Sequence, residues 1–194
     1  MADVVPLGRS FYEGRATTVA PRLLNKVLHV GPRAGRIVEV EAYEGAEDPG
    51  SHGFRGPTPR TQVMFGPPGH LYVYFTYGMH WCANVVCAPV GTCAAVLIRG
   101  LEPLTGIDAM RRARPRVRHP RDLTNGPAKL CQALGVDGDR NGTDLTRPDT
   151  DILVADDGLA PPVTPVQGRR VGLSRGQDLL WRWYVPDSPY VSRP

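Results

Sequence analysis

The stretch "LYVYFTYGMHWCANVV", residues 71–86, has two apolar arms separated by a break at Gly78 and Met79. Aromatic and β-branched residues in both arms favour strands, and the glycine between them favours a turn. The stretch therefore predicts a β-hairpin. The next apolar run, "CAAVLIRGLEP" at 93–103, predicts a further strand that is apolar enough to be central. Strands that follow one another directly favour an antiparallel sheet.

Other strand signals lie on both sides of this hairpin. "RIVEVEAY", residues 36–43, alternates strictly, and the alternation predicts a strand with two different faces. One face would carry Val38, Val40 and Ala42, and the other Ile37, Glu39, Glu41 and Tyr43. Further strands are predicted near 26–30, 152–158, 169–174 and 181–185.

Three short helices are predicted between the strands. The first begins at a cap formed by Thr17 or Thr18, and the second lies within residues 104–113. The third follows Asn125, with Pro127 in its first turn and Gly135 at its end. These elements predict a single α+β domain over residues 1–194, with a central antiparallel sheet and short surrounding helices.

Composition excludes several classes of protein. No run approaches the roughly 18 apolar residues of a membrane span, and the start "MADVVPLGRS" does not look like a signal peptide. The four cysteines have no C-x-x-C spacing, so neither a zinc site nor a redox motif is indicated. Buried, reduced thiols in a cytosolic protein are the interpretation we favour.

Positive charge is concentrated in one segment, residues 111–121, "RRARPRVRHPR", which carries six arginines and no acid. The formal charge of the whole chain is +4, so the rest of the chain is net negative. Mutual repulsion and two prolines predict a mobile loop rather than a packed helix. Arginine forks match phosphate oxygens, which favours a nucleic-acid backbone as partner. A solvated loop, an acidic protein partner and a membrane surface are the alternatives.

Glu41 is the first candidate for chemistry. It shares a strand face with Tyr43, and His52 follows across a turn-rich loop. A carboxylate beside aromatic rings could polarise water next to a flat ligand. The acids from Glu39 to Asp48 also permit a divalent-metal interpretation, although their spacing matches no metal loop.

Two polar residues stand in apolar strands. Arg99 ends the run "AAVLI" and needs an acceptor, either in a structural ion pair or in Glu41 at an active site. Asn84 lies in "CANVV", where it could fix a backbone turn or contact the edge of a ligand.

Three tyrosines in the hairpin need separate explanations. Tyr72 and Tyr74 share one parity, which is typical of cross-strand packing, while a base-stacking platform is the rarer alternative. Tyr77 lies at the turn, where small residues are usual, and a projecting ring could wedge into a base stack. We interpret Tyr72 as packing. If the strand stays regular as far as Tyr77, opposite parity places the rings of Tyr74 and Tyr77 on opposite faces.

Five long motifs resemble the alkyladenine (3-methyladenine, or methylpurine) DNA glycosylases. They are "RIVEVEAYEGAEDPGSH", "MFGPPGHLYVYFTYGMHWCANVV", "VLIRGLEP", "NGPAKLCQAL" and "SPYVS". The resemblance runs from about Pro6 to Ser192. It implies one mixed α/β domain whose hairpin enters the minor groove of DNA. It also implies excision of 3-methyladenine, hypoxanthine and ethenoadenine, without a metal or organic cofactor.

The resemblance also implies roles for individual residues. Glu41 would activate the hydrolytic water and Arg99 would help to hold it. Tyr43 and Tyr74 would sandwich the flipped base, and His52 would complete the pocket.

Three further roles concern guanine exclusion and the wedge. Asn84 would clash with the exocyclic amine of guanine, Tyr77 would fill the vacated stack, and Met79 would assist it. His80 and Trp81 depart from the Tyr-Phe pair of animal members.

We therefore expect a monofunctional glycosylase that initiates base excision repair on double-stranded DNA. It would act as a cytoplasmic, nucleoid-associated monomer with no membrane partner. The arginines expected on the DNA backbone are Arg111, Arg112, Arg114, Arg116, Arg118 and Arg121. A non-catalytic nucleic-acid-binding module and a metal-dependent nuclease are the alternative functions.

Overall fold

A computed structural model describes residues 4–192 of the chain. The strands in this range are β1 (Val27–Val30), β2 (Arg33–Tyr43), β3 (Leu71–Thr76), β4 (His80–Val86), β5 (Ala95–Thr105), β6 (Ile152–Ala155), β7 (Val166–Gly168) and β8 (Arg182–Tyr184). The α-helices are α1 (Ala16–Leu23), α2 (Ile107–Ala113) and α3 (Pro127–Leu134).

The eight strands form one sheet in which paired strands run antiparallel. The main order is β3-β4-β5-β2-β1-β6, and β8 joins β2 and β7. The two longest strands, β2 and β5, pair at its centre. Helix α1 packs on β2, and α3 packs on β4 and β5. The predicted α+β class and the hairpin at 71–86 are confirmed.

The sheet separates two apolar clusters. Leu71 and Val73 of β3 belong to the large core beneath the helices. Tyr72 belongs to a smaller cluster, and Tyr74 packs against it. Because successive strand residues point to opposite faces, the tyrosines lie on the face away from the large core. This second face carries the candidate functional site.

The predicted strict alternation of residues 36–43 is wrong at one point. The pairing of β2 with β5 shifts register on both sides of Glu39. As a result, Ile37 joins the large core together with Val40 and Ala42, although its parity differs from theirs. A bulge of this kind inserts one unpaired residue and reverses the faces on one side of it. Glu41 and Tyr43 lie beyond the bulge, on the second face.

Two local predictions are also corrected. Helix α1 begins after Arg15 without a threonine cap, and Glu44 instead accepts hydrogen bonds from the Thr17 backbone N–H and hydroxyl, at 3.0 and 2.9 Å. Residues 169–174 form no strand; the nearby strand is β7, which ends at Gly168. In contrast, α3 follows the prediction, with Pro127 at its start and left-handed Gly135 at its end.

The four cysteines are buried and are not joined in disulfides. Within residues 4–192, no helix has the length and apolar character that crossing a membrane requires.

Candidate active site

Glu41 is fully buried and is held by three groups from different parts of the chain. Its Oε2 accepts a hydrogen bond from the Tyr43 hydroxyl at 2.8 Å. Its Oε1 accepts one from the Val171 backbone N–H at 2.7 Å and lies 3.4 Å from Arg99 Nε. The predicted partnership of Arg99 with Glu41 is therefore present. The strand pairing explains this contact. Leu97 of β5 lies opposite Glu41 of β2, and Arg99, two residues further along β5, points to the same face of the sheet.

Arg99 is shared with a second buried carboxylate, Glu39. Arg99 Nε donates to Glu39 Oε1 at 3.2 Å, and Arg182 Nε donates to the same oxygen at 2.8 Å. The backbone N–H and hydroxyl of Ser192 donate to Glu39 at 2.6 and 2.9 Å. Arg99 Nη2 in turn donates to the Ser192 hydroxyl at 3.0 Å. Arg99 therefore pairs with both carboxylates, and its role at an active site stays a prediction.

The environment of Glu41 changes its acidity. Burial raises the pKa of Glu41 above its ordinary value, while Arg99, the Val171 N–H and the Tyr43 hydroxyl oppose that rise. Burial and the neighbouring Glu41 carboxylate raise the pKa of Tyr43 well above its ordinary value. Tyr43 therefore keeps its proton and donates it in a hydrogen bond to Glu41. A carboxylate with a raised pKa is a better proton acceptor than an ordinary one.

An aromatic pocket of about 320 Å³, including its open mouth, lies next to this carboxylate. Its walls are Tyr43, Gly50, His52, Met64, Tyr72, Tyr74, Asn84 and Leu173. The His52 ring stands almost perpendicular to Tyr74, with centroids 4.5 Å apart. The Tyr72 and Tyr74 rings are inclined by 26° with centroids 5.5 Å apart. The predicted pocket residues Tyr43, His52, Tyr74 and Asn84 thus come together at one site.

The interpretation of Tyr72 as packing is incomplete, because the structure gives this residue a second role. Its ring lines the pocket, and its hydroxyl lies 3.3 Å from His52 Nδ1. The signal is present in the sequence, because Tyr72 has the same parity as Tyr74 and must share its face. Burial lowers the pKa of His52, with nearby Arg60 acting in the same direction. A neutral His52 can both donate and accept a hydrogen bond.

Asn84 is buried opposite Tyr72 on the neighbouring strand. Its Nδ2 donates to the Tyr72 carbonyl at 3.1 Å, which fixes the orientation of the amide. The amide thus ties down the backbone of a strand rather than of a turn. Asn84 also lines the pocket, and its contact with the edge of a ligand stays a prediction.

The hairpin tip exposes two apolar side chains, Tyr77 and Met79, at 80% and 67% of their full areas. Strand β3 ends at Thr76, and Tyr77 and Gly78 have φ values of 51° and 65°. Positive φ at both central residues is typical of a type I′ turn. The condition of the parity argument for Tyr77 is not met, because the strand is not regular as far as this residue. The turn itself makes the ring project.

His80 and Trp81 begin the second arm of the hairpin. His80 is exposed, whereas Trp81 is half-buried and lies 4.7 Å from the Phe75 ring, between centroids. A side chain at Gly138 would meet the Trp81 ring at 2.7 Å, so the 138–140 turn fits closely against it. Trp81 therefore packs the tip end of the second arm against the 138–140 turn.

The arginine segment contains more regular secondary structure than predicted. Arg111 and Arg112 lie in α2, and Arg121 lies in a 3-10 turn at Pro120–Leu123. Arg114 donates to the carbonyls of Asp122 and Leu123 and, at 3.1 Å, to Gln132. Arg114 therefore holds the segment together, because its guanidinium already has three acceptors within the chain. Arg111, Arg112, Arg116, Arg118 and Arg121 are exposed to differing degrees, and their role on DNA stays a prediction.

Sequence reasoning missed Glu39, Arg170, Arg182 and Ser192 as contributors to the site. Arg170 is buried against Asp48, and its guanidinium lies over the Tyr43 ring at 4.6 Å. Over the part of the chain that the structure describes, no three histidine, cysteine or acidic side chains are grouped to hold a metal ion.

Comparison with known proteins identifies one family. The family model described as methylpurine-DNA glycosylase matches residues 10–189. A protein of Burkholderia lata is 57% identical over 97% of this chain and 91% of its own length. A protein of Nitrosospira multiformis is 44% identical over 94% of this chain and 92% of its own length. A protein of Cutibacterium acnes is 45% identical over 92% of this chain and 95% of its own length. Each carries the provisional name of 3-methyladenine DNA glycosylase.

Proposed function

The chain belongs to the methylpurine-DNA glycosylase family, and on this premise we propose that it is a monofunctional enzyme that excises alkylated or deaminated purines from duplex DNA. The substrates proposed are 3-methyladenine, hypoxanthine and ethenoadenine. The observation that carries the proposal is a buried carboxylate, Glu41, that is hydrogen-bonded to Tyr43, one of the rings that line an aromatic pocket. We propose that the enzyme acts as a monomer and initiates base excision repair.

The damaged nucleotide must leave the helix before its glycosidic bond can be reached. Extrusion costs a few kcal/mol, and less for a base that is damaged or mispaired. We propose that Tyr77 and Met79, exposed at the hairpin tip, enter the vacated space and slow the nucleotide's return. The extruded base then stacks on Tyr43 and Tyr74, which is worth about 1–3 kcal/mol per base.

Glu41 is proposed to act as general base for hydrolysis. It removes a proton from water as the water oxygen bonds to C1′ of the sugar, and the electrons of the broken glycosidic bond leave with the base. The carboxylate also stabilises the positive charge that develops on the sugar. Arg99, 3.4 Å from Glu41, helps to orient the water and keeps the carboxylate ionised. The products are a free base and an abasic site.

An amine nucleophile would instead give a covalent intermediate and a strand break. The sequence contains two lysines, and both side chains are bound elsewhere: Lys26 donates to Asp156 and Lys129 to Asn125, at 2.6 and 2.7 Å. Neither lies in the pocket wall. This arrangement supports a monofunctional reaction.

One assay tests the proposal against both alternatives. The protein is incubated, with chelator present, with a duplex that contains one hypoxanthine, and the product is heated in alkali. The proposal expects a break at that position only, which depends on alkali and is lost in Glu41→Gln. A nucleic-acid-binding module would retain the duplex without releasing base, and a metal-dependent nuclease would lose activity with chelator. Intact DNA across several damaged purines would overturn the proposal.

A further inference from the structure

Residues 169–176, here called the strap, cross the active site without regular secondary structure. The strap brings two groups to the site from adjacent positions. The Val171 N–H lies 2.7 Å from Glu41 Oε1, and the Arg170 guanidinium lies over the Tyr43 ring. Leu173 adds a wall of the pocket. Since most of the strap is at least partly exposed, its position depends on how it is anchored.

The anchor is an ion pair whose two side chains have no exposed area. Arg170 Nη1 and Nη2 donate to the two carboxylate oxygens of Asp48 at 2.5 and 2.7 Å. Arg170 Nη1 also donates to the Ala42 carbonyl at 2.9 Å. Asp48 is itself oriented by the backbone N–H groups of Glu44 and Gly50, at 3.3 and 2.9 Å. A two-pronged pair of this kind fixes both distance and orientation.

The surroundings leave little freedom around this guanidinium. It lies 4.6 Å from the centroid of the Tyr43 ring and 5.3 Å from that of Trp181. A Cβ at Gly50 or at Gly176 would come within 2.9 Å of Arg170 Nη2. Two glycines therefore make the room that the ion pair occupies.

We propose that the Arg170–Asp48 pair is a positioning unit for the reaction: it holds the Val171 N–H on the Glu41 carboxylate and the Tyr43 ring in the pocket wall. This inference rests on the proposed function, because it takes Glu41 as the general base. Neither Arg170 nor Asp48 touches the reacting atoms. Their effect is transmitted through Val171 and Tyr43, which do contact the carboxylate or line the base pocket.

A pH profile separates positioning from a purely structural role. A hydrogen bond to a carboxylate favours its ionised form, so loss of the Val171 N–H would make Glu41 harder to ionise. The acidic limb of the pH–rate profile would then move to higher pH. A variant that only misfolds would lower the rate by the same factor at every pH.

Other charged or titratable groups also act on Glu41. They are Glu39 and Tyr43 of β2, Tyr74 of β3, Cys82 of β4 and Arg99 of β5, and Arg182 of β8 acts through Glu39.

The experiment compares Arg170→Met with wild type in single-turnover release of hypoxanthine across the acidic and neutral range. We expect the acidic limb to move to higher pH and the plateau rate to fall by up to about 100-fold, as expected for misplacement of a reacting group by about 1 Å. Arg169→Met is the matched control, because Arg169 is adjacent in the strap, 71% exposed in its side chain, and 4.0 Å from its partner Asp178. Its profile should superimpose on that of wild type.

Removal of one member of a buried pair can prevent folding, so a second variant is needed. The double variant Asp48→Leu with Arg170→Met replaces both charges by apolar groups of similar shape, and buried pairs often tolerate such replacement. It should fold by circular dichroism and show the same displaced limb. A folded double variant whose acidic limb coincides with the wild-type limb would overturn the inference. Failure of the proposed function looks different, since wild type would then release no base or Glu41→Gln would retain activity.

Discussion

The proposed chemistry depends on the ionisation state of one residue, Glu41. Burial raises its pKa above the ordinary 4.5, and its three hydrogen-bonding or ionic partners only partly compensate. A general base acts in its ionised form, so the rate should rise with pH as Glu41 loses its proton. We therefore expect an acidic limb above the ordinary range of a glutamic acid.

Single-turnover rates for a hypoxanthine duplex would measure this limb. The residual rate of Glu41→Gln, at a position that cannot ionise, should show no such limb. A wild-type rate that stays flat through the acidic range, with the protein folded, would contradict the assignment of Glu41 as base.

Asn84 is expected to limit the choice of purine. Stacking accepts every base, so discrimination must come from the pocket edge, where Asn84 is fixed by its bond to the Tyr72 carbonyl. Asn84→Ser removes side-chain volume and the amide group from the pocket edge. Guanine release from undamaged DNA should therefore rise about tenfold, which corresponds to an activation barrier lower by ~1.4 kcal/mol. Hypoxanthine release is the internal reference. Unchanged guanine release would remove Asn84 from this role.

At the scale of elements, the hairpin tip places a strained residue, Tyr77, at the proposed DNA wedge. Tyr77 adopts a left-handed backbone that costs a side-chain-bearing residue about 1–2 kcal/mol, and Asn tolerates it better. Tyr77→Asn should therefore raise the free energy of unfolding by about 1 kcal/mol while excision from duplex DNA falls at least about tenfold.

Two controls make this prediction specific. Tyr77→Phe keeps both the ring and the strain, so its stability and duplex activity should stay close to wild type. Excision from single-stranded DNA should respond less to Tyr77→Asn, because no stack has to be filled. Equal losses on duplex and single strand would argue against a wedge.

The arginine segment should supply affinity that depends on salt. Arg116, Arg118 and Arg121 are exposed, whereas Arg114 holds the segment together and must stay. The triple Gln variant at these three positions should reduce the slope of log affinity against log salt by about 0.9 for each phosphate that is no longer neutralised. Arg147→Gln, exposed and paired with Asp149, is the control. An unchanged slope in the triple variant would place the segment outside the DNA interface.

The elements that the sequence predicted correctly carry their signals locally. The hairpin has two β-rich arms around a glycine, and α3 has Pro127 and Gly135 at its ends. The strand predicted at 169–174 fails because its conformation depends on Asp48, 122 residues away from Arg170. The bulge near Glu39 was missed for a similar reason, since it exists only in the pairing with β5. Local patterns cannot report contacts of this separation.

The same limit applies to the site. Glu41, Tyr43 and Tyr74 stand in recognisable strands, and parity alone could have added Tyr72. The second carboxylate, Glu39, has partners 60, 143 and 153 residues away in Arg99, Arg182 and Ser192. No spacing rule connects them, and only the folded chain brings them together.

At the scale of the whole molecule, Glu39 joins β2, β5, β8 and the last described residue, Ser192. Its two carboxylate oxygens receive donors from all three distant segments and stand between Arg99 and Arg182. Glu39 therefore links the segments that surround the site. Its negative charge also balances the guanidinium groups of Arg99 and Arg182, which have little exposed area.

Glu39→Gln keeps the shape but leaves these two arginines without their shared counter-charge. Loss of one partner in a buried ion pair costs about 3–5 kcal/mol, which for a domain of this size lowers the melting temperature by about 2–4 °C per kcal/mol. A drop of roughly 10 °C is expected by calorimetry. Glu47→Gln is the matched control, because Glu47 is paired with Arg15 at 2.8 Å but is 69% exposed, and such surface pairs contribute at most about 1 kcal/mol. Melting of both variants within about a degree of wild type would contradict this role of Glu39 in joining the distant segments. The position of Arg99 beside Glu41 would then depend on the strand pairing alone.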